Sequence, residues 1–437
     1  MRKISIFLIL LVFLDAVPCK KLASFTSIDA IATITSDNEN ELVDAITKLN
    51  KSGGTIYIDT PIIHIKSTCS LTLSGSIKGG IIGISQAGGA RPIIDFLNCA
   101  SNDNRGFKIS GSNQFMKQLI IQYANKGIWI TGTYNTIEFI ISRYNSDSGF
   151  LLSDNAESNY FQYCFSYWNG NIHDSCENCD GFTQKPGSNI NLFEYCFAWD
   201  NYGNGWSIYD KEEDLTPLTR IYNSASWNNG NPEVFSGKYD YDNNWPLDKN
   251  LLTIKNIMDE DPNYESNYKN RKFAISPLGP YTKYFLNTWI PKAELEGGYG
   301  FIFGSKIKQK LYELQRFFQR VLDFDNKSIG FLSNDSESRW ASFDDCIAFN
   351  NYINYQITND VISWNNNYSY DPIKSDQFKP RLSQKIKTPK DKASATSYVH
   401  GIRDKIISNC RYNVISDMDH FDIVYYLMFK NEEILLF

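Results

Sequence analysis

Short runs of alternating apolar and polar residues recur along the chain, and each run leads into an Asn-rich corner. The pattern is clearest over 135–229, in segments such as NYFQYCFSYWNGN and NLFEYCFAWDNYGNGWSI. The corner glycines Gly127, Gly149, Gly181 and Gly205 follow one another at steps of 22, 32 and 24 residues. Repeats of this length cannot bury an apolar face alone, so they must stack on their neighbours. The pattern therefore predicts an all-β solenoid, a parallel β-helix, with an insertion in the 32-residue step.

The corner asparagines have a predicted structural role of their own. An Asn side chain tolerates turns and can hydrogen-bond nearby backbone groups. We therefore expect the corner amides to bond the backbone of adjacent repeats.

An amphipathic helix is predicted over 36–50, where Leu42, Ile46 and Leu49 recur at helical spacing and Ser36 or Asp37 can cap the first turn. A helix at this place closes the first repeat of a solenoid and protects its open strand edge from pairing with other chains.

The β-helix domain is predicted to span 20–370. Its rhythm is lost over 230–298, which contains six prolines and predicts a long loop or small subdomain. A second helix, inserted near 306–322, is predicted from apolar residues at intervals of 4, 3, 4 and 3, namely Ile307, Leu311, Leu314, Phe318 and Val321. Residues 371–437 form a C-terminal extension for which the pattern predicts no fold.

The N-terminal residues 1–19 predict a signal peptide, because Arg2 and Lys3 precede a largely apolar run and small residues follow it. That run is shorter than the roughly 20 apolar residues of a membrane anchor. The predicted location is therefore secreted and extracellular. The formal net charge of −6 argues against nucleic acid and anionic membranes as partners. We expect a monomer, which can hold an acidic polymer only through a bridging cation or a local basic strip.

Eight cysteines follow residue 19, and the sequence does not determine how they pair. Cys164 and Cys196 occupy the same place in successive repeats, so we expect them to stack as buried thiols rather than to form a bridge. For Cys176 and Cys179, a loop disulfide or free thiols is favoured over zinc or redox chemistry, because no second pair lies nearby.

Three motifs, CDGFTQK at 179–185, AWDNYGNGWSIY at 198–209 and NSASWNNG at 223–230, resemble the pectate lyases of polysaccharide lyase family 9. The resemblance covers about 130–370. It implies a right-handed parallel β-helix that acts on pectate, a polygalacturonate, by calcium-assisted β-elimination. In such a reaction, calcium held by carboxylates stabilises the charge that develops on the uronate, and a neutral lysine or arginine removes the C5 proton.

The resemblance also identifies the positions of the active site, and most of them carry residues that cannot perform the family's chemistry. Asp180 matches the first calcium aspartate, but the other three positions are Gly203, Asn204 and Ser207. Ile302 stands where the family has its lysine base.

The predicted metal ligands are therefore Asp180, Asn204 and Ser207, in a weak calcium site at best. Lys185 and Trp206 match the family motifs and are predicted to contact the substrate. No catalytic residue is assigned, and the resemblance implies a degenerate active site.

Several functions remain open at this stage. The chain could be a non-catalytic polysaccharide-binding protein, or a surface structural β-helix without a sugar ligand. It could also be an active lyase with relocated groups, with Lys185 or Lys238 as base and with acidic charge from Asp180, Asp210, Glu212, Glu213 and Asp214. A lesser alternative is a β-helical glycoside hydrolase that uses paired carboxylates, for which Asp344, Asp345 and His400 are the available residues. Tryptophans near the corners could provide flat platforms for sugar rings wherever they are exposed.

Overall fold

The structure, a computed structural model, describes residues 29–378 except for 85, 87–90, 98, 100–105, 171–178, 186, 189, 211–217, 231–297, 306–314, 334–340, 358–360, 366, 371 and 373–374. The predicted signal peptide, most of the loop at 230–298, and residues 379–437 of the C-terminal extension lie outside these residues. Within them, no helix is long and apolar enough to cross a bilayer.

The described chain contains one helix, α1 (Glu39–Ser52), and a succession of short strands. In chain order the strands are β1 Ala30–Ile34, β2 Gly54–Ile58, β3 Ile62–His64, β4 Ser70–Leu73, β5 Gly79–Gly83, β6 Ile93–Asp95, β7 Gly106–Ile109, β8 Gln114–Lys117, β9 Ile120–Gln122, β10 Ile128–Ile130, β11 Thr136–Glu138, β12 Ile141–Arg143, β13 Phe150–Leu152, β14 Tyr160–Gln162, β15 Phe165–Tyr167, β16 Phe182–Gln184, β17 Asn191–Glu194, β18 Phe197–Trp199, β19 Trp206–Asp210, β20 Leu218–Tyr222, β21 Ala225–Trp227, β22 Phe301–Ser305, β23 Gln315–Gln319, β24 Leu322–Phe324, β25 Ile329–Ser333, β26 Ala341–Asp344, β27 Ile347–Phe349, β28 Ile353–Ile357, β29 Val361–Asn365, β30 Tyr368–Tyr370 and β31 Gln377–Phe378.

These strands form three long parallel sheets, as a parallel β-helix requires, and the predicted fold class is confirmed. Sheet A contains 11 strands and runs from β1 and β2 through every third strand to β29. Sheet B runs from β3 to β30 and sheet C from β4 to β31, each with 10 strands. One turn of the solenoid therefore contributes one strand to each sheet, and equivalent residues of successive turns lie side by side.

Stacked aromatic rings fill much of the interior. Along the inner face of sheet C, consecutive rings of one ladder lie 4.1 to 5.6 Å apart between centroids, in the order Phe150, Phe182, Trp206, Phe301, Phe331 and Tyr355. Along sheet A, Phe161 stacks on Phe193 and Phe318 on Phe343. Because each ring meets its equivalent in the next turn, the repeat buries apolar surface that a single turn would expose.

A ladder of asparagines lies at the corner after sheet B, as expected from the sequence. Its members are Asn145, Asn169, Asn201, Asn229, Asn326 and Asn351, all fully or almost fully buried. Each Oδ1 after the first accepts hydrogen bonds from the backbone N–H and the side-chain amide of the preceding member. The ladder therefore satisfies buried backbone donors where the chain leaves the sheets.

The corner glycines are required by a close approach of neighbouring turns. Ser166 Oγ donates a 2.7 Å hydrogen bond to the carbonyl oxygen of Gly181. A Cβ atom at Gly149 would collide with that same hydroxyl oxygen. The glycine repeat visible in the sequence is therefore a packing requirement of the corner.

Helix α1 covers the first turn, close to its predicted range, but the predicted cap residues were wrong. Asn38, not Ser36 or Asp37, is the N-cap, and its side chain accepts a hydrogen bond from the Glu41 backbone N–H. Buried Leu42 and Leu49 face the core. The Glu39 carboxylate accepts backbone N–H bonds from the segment 66–68 at 2.7 to 3.2 Å, which fixes the helix against the solenoid.

The predicted helical insertion near 306–322 is wrong in the part that the structure describes. Residues 315–319 form β23, which pairs with β20 and β26, and β24 begins at Leu322. In β23, Arg316 and Phe318 are buried, whereas Phe317 between them is partly exposed, so burial alternates as it does in a strand. Residues 306–314 lie outside the described residues.

The cysteines agree with the stacking prediction. Cys164 and Cys196 are free, buried and equivalent in position, one before β15 and the other before β18. A disulfide joins Cys69 and Cys99, a pairing that the sequence did not identify. Cys176 lies outside the described residues.

Candidate functional site

One face of sheet C points away from the core and carries a register of equivalent residues, which we call the outward column. Its members, in neighbouring strands, are Thr72, Lys108, Trp129, Leu151, Thr183, Ser207, Ile302, Leu332 and Gln356. Their neighbours along each strand, such as Trp206 and Ile208, lie in the core. Because successive side chains of a strand alternate between faces, the outward column faces away from the interior.

The corner that leads into sheet C brings together three of the positions identified from the sequence. Asp180 lies two residues before β16, and Gly203 and Asn204 precede β19 in the next turn. The Asn204 backbone N–H donates a 2.8 Å hydrogen bond to Asp180 Oδ1. Thr183 Oγ1 donates to Asp180 Oδ2 at 3.2 Å. We call Asp180, Gly203 and Asn204 the Asp180 corner.

Two further features of the Asp180 corner limit what it can bind. Asn204 Oδ1 accepts a 3.1 Å hydrogen bond from the Tyr299 backbone N–H. A Cβ atom at Gly203 would lie 2.8 Å from Asp180 Oδ1 and 2.9 Å from the Cys179 carbonyl oxygen. A carboxylate at position 203 would therefore require the Asp180 side chain to move.

Burial decides the charge state of the Asp180 corner. The Asp180 side chain is 1% exposed, and burial raises its pKa to about 6. The Asn204 N–H, the positive charge of Lys185 and the Thr183 hydroxyl lower the pKa, and the negative charge of Asp147 raises it. A carboxyl group in this setting is protonated in mildly acidic solution and ionised only above about pH 6.

The position predicted to correspond to the lysine base is apolar. Ile302 pairs in register with Ser207 on one side and Leu332 on the other. It belongs to a small apolar cluster with Ile329, Leu332 and Ile353, against which Tyr299 packs. Ile302 cannot accept a proton, and both Ile302 and Leu332 are buried.

The two residues predicted to contact the substrate, Lys185 and Trp206, differ in their exposure. Lys185 follows β16 and is partly exposed, and its charge acts on Asp180. The prediction for Trp206 is wrong, because its side chain is fully buried between Phe182 and Phe301 in the interior ladder. An indole in that position cannot reach a polysaccharide.

The other corner tryptophans do not form sugar platforms either. All are at most 5% exposed, namely Trp168, Trp199, Trp227 and Trp364. The partly exposed aromatic residue of the outward column is Trp129, which the sequence-based search missed. The signal was present in the run GIWITG, where Ile128 and Ile130 are buried and Trp129 must face the other way.

The groups proposed for alternative chemistry lie elsewhere or outside the described residues. Asp210 is the last residue of β19, whereas Glu212, Glu213, Asp214, Lys238 and His400 lie outside the described residues. Asp344 ends β26, and Asp345 forms the next corner towards sheet B. The paired carboxylates therefore do not lie on the outward column.

The donor set of the Asp180 corner does not fit a strong calcium site. Calcium takes six to eight oxygen ligands, and its affinity rises with the number of carboxylates. Asp180 supplies the corner's one carboxylate, and its two oxygens already accept hydrogen bonds. In the described part of the chain, no group of three or more His, Cys, Asp or Glu residues is placed to hold a metal ion.

The three parallel sheets and the corner beside the outward column define a right-handed β-helix of the pectate lyase type. Residues 26–244, half of the chain, match the family model described as "Pel9A-like, right handed beta helix region". The chain belongs to this family.

A curated relative and a solved structure agree with the assignment. The chain is 30% identical over 193 residues to "Pectate lyase L" of Paenibacillus polymyxa (strain SC2), a match that covers 41% of this chain and 42% of that protein. The match therefore spans less than half of the relative's length. The crystal structure of pectate lyase Pel9A superposes with a TM-score of 0.53 at 18% identity, covering 84% of this chain and 81% of that one. This likeness shows the fold.

The raised pKa of Asp180 predicts a pH-dependent effect of its replacement by asparagine. The folded protein holds the Asp180 proton up to about pH 6, whereas an unfolded aspartate releases it near 3.8. The folded state therefore binds more protons between these values, and the stability contributed by Asp180 falls as pH rises through them. The difference of about two pH units corresponds to a cost of about 3 kcal/mol above pH 6.

We expect Asp180→Asn to raise the melting temperature at pH 8 relative to the wild type, and to change it much less at pH 4. Thermal melts at both pH values, without calcium, measure the effect. Asp154→Asn, at an exposed position, is the matched control and should give the same small change at both. Equal effects of Asp180→Asn at pH 4 and pH 8 would show that the Asp180 carboxyl titrates normally.

Proposed function

We propose that the chain is an exported protein that binds uronate polysaccharides of the pectic type along the outward column of sheet C. In this proposal, β-elimination by the family's calcium-assisted route is weak or lost. Support for the substrate class comes from membership of the Pel9A-like family and from the similarity to a protein named Pectate lyase L. The disulfide between Cys69 and Cys99 favours an oxidising compartment, in agreement with export.

The observation that carries the proposal is the Asp180 corner itself. The family position of the first aspartate is present and lies directly beside the outward column, with Thr183 linking the two. This placement supports a scaffold that presents a polymer to the Asp180 corner, while the residues at the other matched positions lack the groups for elimination.

The chemistry explains why those changes matter. Removing the C5 proton of a uronate places further negative charge beside its carboxylate, so a base and a stabilising cation are both needed. Ile302 cannot act as the base, and Asp180 is buried and ionises only above about pH 6. We expect any calcium held by Asp180, Asn204 and Ser207 to bind no more tightly than about 1 mM, the weak end of the range for protein sites.

A turnover assay tests the proposal. We expect the wild type, incubated with polygalacturonate at alkaline pH and millimolar calcium, to form little unsaturated uronate by absorbance. A chelator should leave that low rate unchanged. The same protein should nevertheless retard in an affinity gel that contains polygalacturonate, and should not retard in a gel with a neutral glucan.

A matched variant tests the assignment of the positions. Combining Asn204→Asp with Ser207→Asp, and leaving the closely packed Gly203 unchanged, should strengthen calcium binding, measured as a calcium-dependent rise in melting temperature. Robust calcium-dependent product from the wild type would refute the loss of the elimination chemistry and favour relocated groups. Absence of retardation in the polygalacturonate gel would instead favour a structural β-helix without a sugar ligand.

A further inference from the structure

Lys108 and Trp129 form a pair of contacting side chains near the N-terminal end of the outward column. They are register partners in β7 and β10. Lys108 Nζ lies 4.0 Å from the centre of the Trp129 ring, a cation–π distance. Trp129 Nε1–H donates a 2.8 Å hydrogen bond to Ser153 Oγ, which fixes the orientation of the indole. Both side chains are partly exposed.

Lys108 and Lys126 differ in the contacts that their ammonium groups make. Lys126, in the corner before β10, forms a 2.9 Å salt bridge with Asp147 Oδ2. Within the described part of the chain, Lys108 forms no salt bridge, and its ammonium rests on an aromatic ring instead. Among the described residues, no carboxylate is therefore paired with the positive charge of Lys108, in a protein of net charge −6.

The residues between this pair and the Asp180 corner offer a ligand neither charge nor exposed surface. Trp129 lies three strands from Ser207, which is about 14 Å at the usual strand spacing. Leu151 and Thr183 between them are buried and carry no charge. A ligand that follows the column from the Asp180 corner finds its aromatic and cationic contacts at the Trp129 end.

We propose that Lys108 and Trp129 form a subsite for one uronate residue of a bound acidic oligosaccharide. This inference rests on the proposed function and specifies where the negative charge of the polymer is recognised. A uronate offers a carboxylate and an apolar C–H surface on one ring, and the pair offers an ammonium and an indole within one contact. Recognition of the acid at this subsite needs no bound cation.

The experiment compares a charged ligand with its neutral counterpart. Isothermal titration calorimetry with a chelator present would use hexagalacturonate and its fully methyl-esterified form. We expect Lys108→Gln to weaken binding of the acid about tenfold, as for loss of one charge-assisted contact, and to leave binding of the ester unchanged. Trp129→Ala should weaken binding of both ligands about tenfold, because both present the same apolar ring surface.

Lys117→Gln is the matched control. Lys117 also lies near an aromatic ring, with its Nζ 5.5 Å from the centre of Phe139, but it belongs to sheet A. Its replacement changes the net charge equally and should leave binding of both ligands unchanged. Thermal melts check that every variant is folded. If Trp129→Ala does not fold, Trp129→Phe takes its place. This variant keeps an aromatic ring and should retain most of the affinity.

The possible results distinguish a failure of the subsite proposal from a failure of the proposed function on which it rests. If the wild type binds the acid and Lys108→Gln binds it equally well, the subsite is wrong while the proposed function stands. Equal weakening of the acid and the ester by Lys108→Gln would also overturn recognition of the carboxylate. If the wild type binds neither ligand, the proposed function fails and the subsite fails with it.

Discussion

Truncation of Trp206 to alanine is expected to lower the free energy of unfolding by about 4 kcal/mol, a typical cost for a large aromatic core residue. The indole is fully buried, with its ring centre 4.1 Å from that of Phe182 and 5.6 Å from that of Phe301. Removing it interrupts the interior ladder in the middle of the solenoid and leaves a cavity that neighbouring turns cannot fill without moving. Urea unfolding followed by circular dichroism measures the change.

Trp129→Ala provides the comparison within the same sheet. Trp129 is partly exposed and lies outside the core, so its truncation should cost about 1 kcal/mol or less. We therefore expect Trp206→Ala to lose mainly stability and Trp129→Ala to lose mainly ligand binding. A small stability change at Trp206 together with weakened binding would show that its side chain faces the ligand after all.

The contrast between these tryptophans shows what the sequence could predict about the site. Adjacent residues of a strand face opposite sides of the sheet. Ser207 and Trp206 therefore could not both face a ligand, although both were predicted as site residues. The structure shows that Trp206 is the one that lies in the core. The family resemblance identified the positions of the Asp180 corner, whereas the alternation identifies which neighbours share its face.

The fold was predictable wherever the repeat had a physical cause. The corner glycines recur because a side chain would collide with the next turn, as at Gly149. The asparagines recur because they satisfy backbone groups of neighbouring turns. Both requirements act once per turn, so both leave a period in the sequence.

The error over 315–322, the described part of the predicted helix, has a physical reason as well. Phe318, Val321 and Leu322 are all buried, and their spacing fits one face of a helix as well as a strand, a corner and a second strand. Periodicity over so short a segment does not separate these structures. The deciding signal is the alignment of RFFQRVLDFDN at 316–326 with NLFEYCFAWDN at 191–201, in which Asn326 takes the ladder position of Asn201.

The pKa of Asp180 could not be obtained from the sequence. It depends on burial and on donors contributed by two different turns, the Asn204 backbone and the Thr183 hydroxyl. A resemblance identifies which residue occupies a position, but the surroundings of that residue determine its charge. The same holds for Lys108, whose contact with Trp129 joins residues of neighbouring strands.

In the asparagine ladder, a single side chain forms hydrogen bonds with several buried polar groups. Asn201 Oδ1 accepts hydrogen bonds from the backbone N–H and the side-chain amide of Asn169, at 3.2 and 2.9 Å. Asn201 Nδ2 donates to Asn229 Oδ1 at 3.0 Å and to the Ser166 carbonyl oxygen at 3.2 Å. All of these bonds are buried, so water cannot replace the lost partners without opening the corner.

We expect Asn201→Ala to lower the free energy of unfolding by about 4 kcal/mol. It leaves the buried Asn169 backbone N–H without its acceptor, at a cost of about 1–3 kcal/mol, and it removes the two buried hydrogen bonds that Asn201 Nδ2 donates, each worth about 1 kcal/mol. Asn365→Ala is the matched control. Its exposed amide donates a single hydrogen bond, to Asp344 Oδ1, and its loss should change stability by less than about 0.5 kcal/mol. Urea unfolding measures both variants, and hydrogen exchange should show faster exchange at the Asn169 amide in Asn201→Ala. Equal stability of the two variants would mean that the ladder only accompanies the stacking of the turns, and that the aromatic interior alone holds the solenoid together.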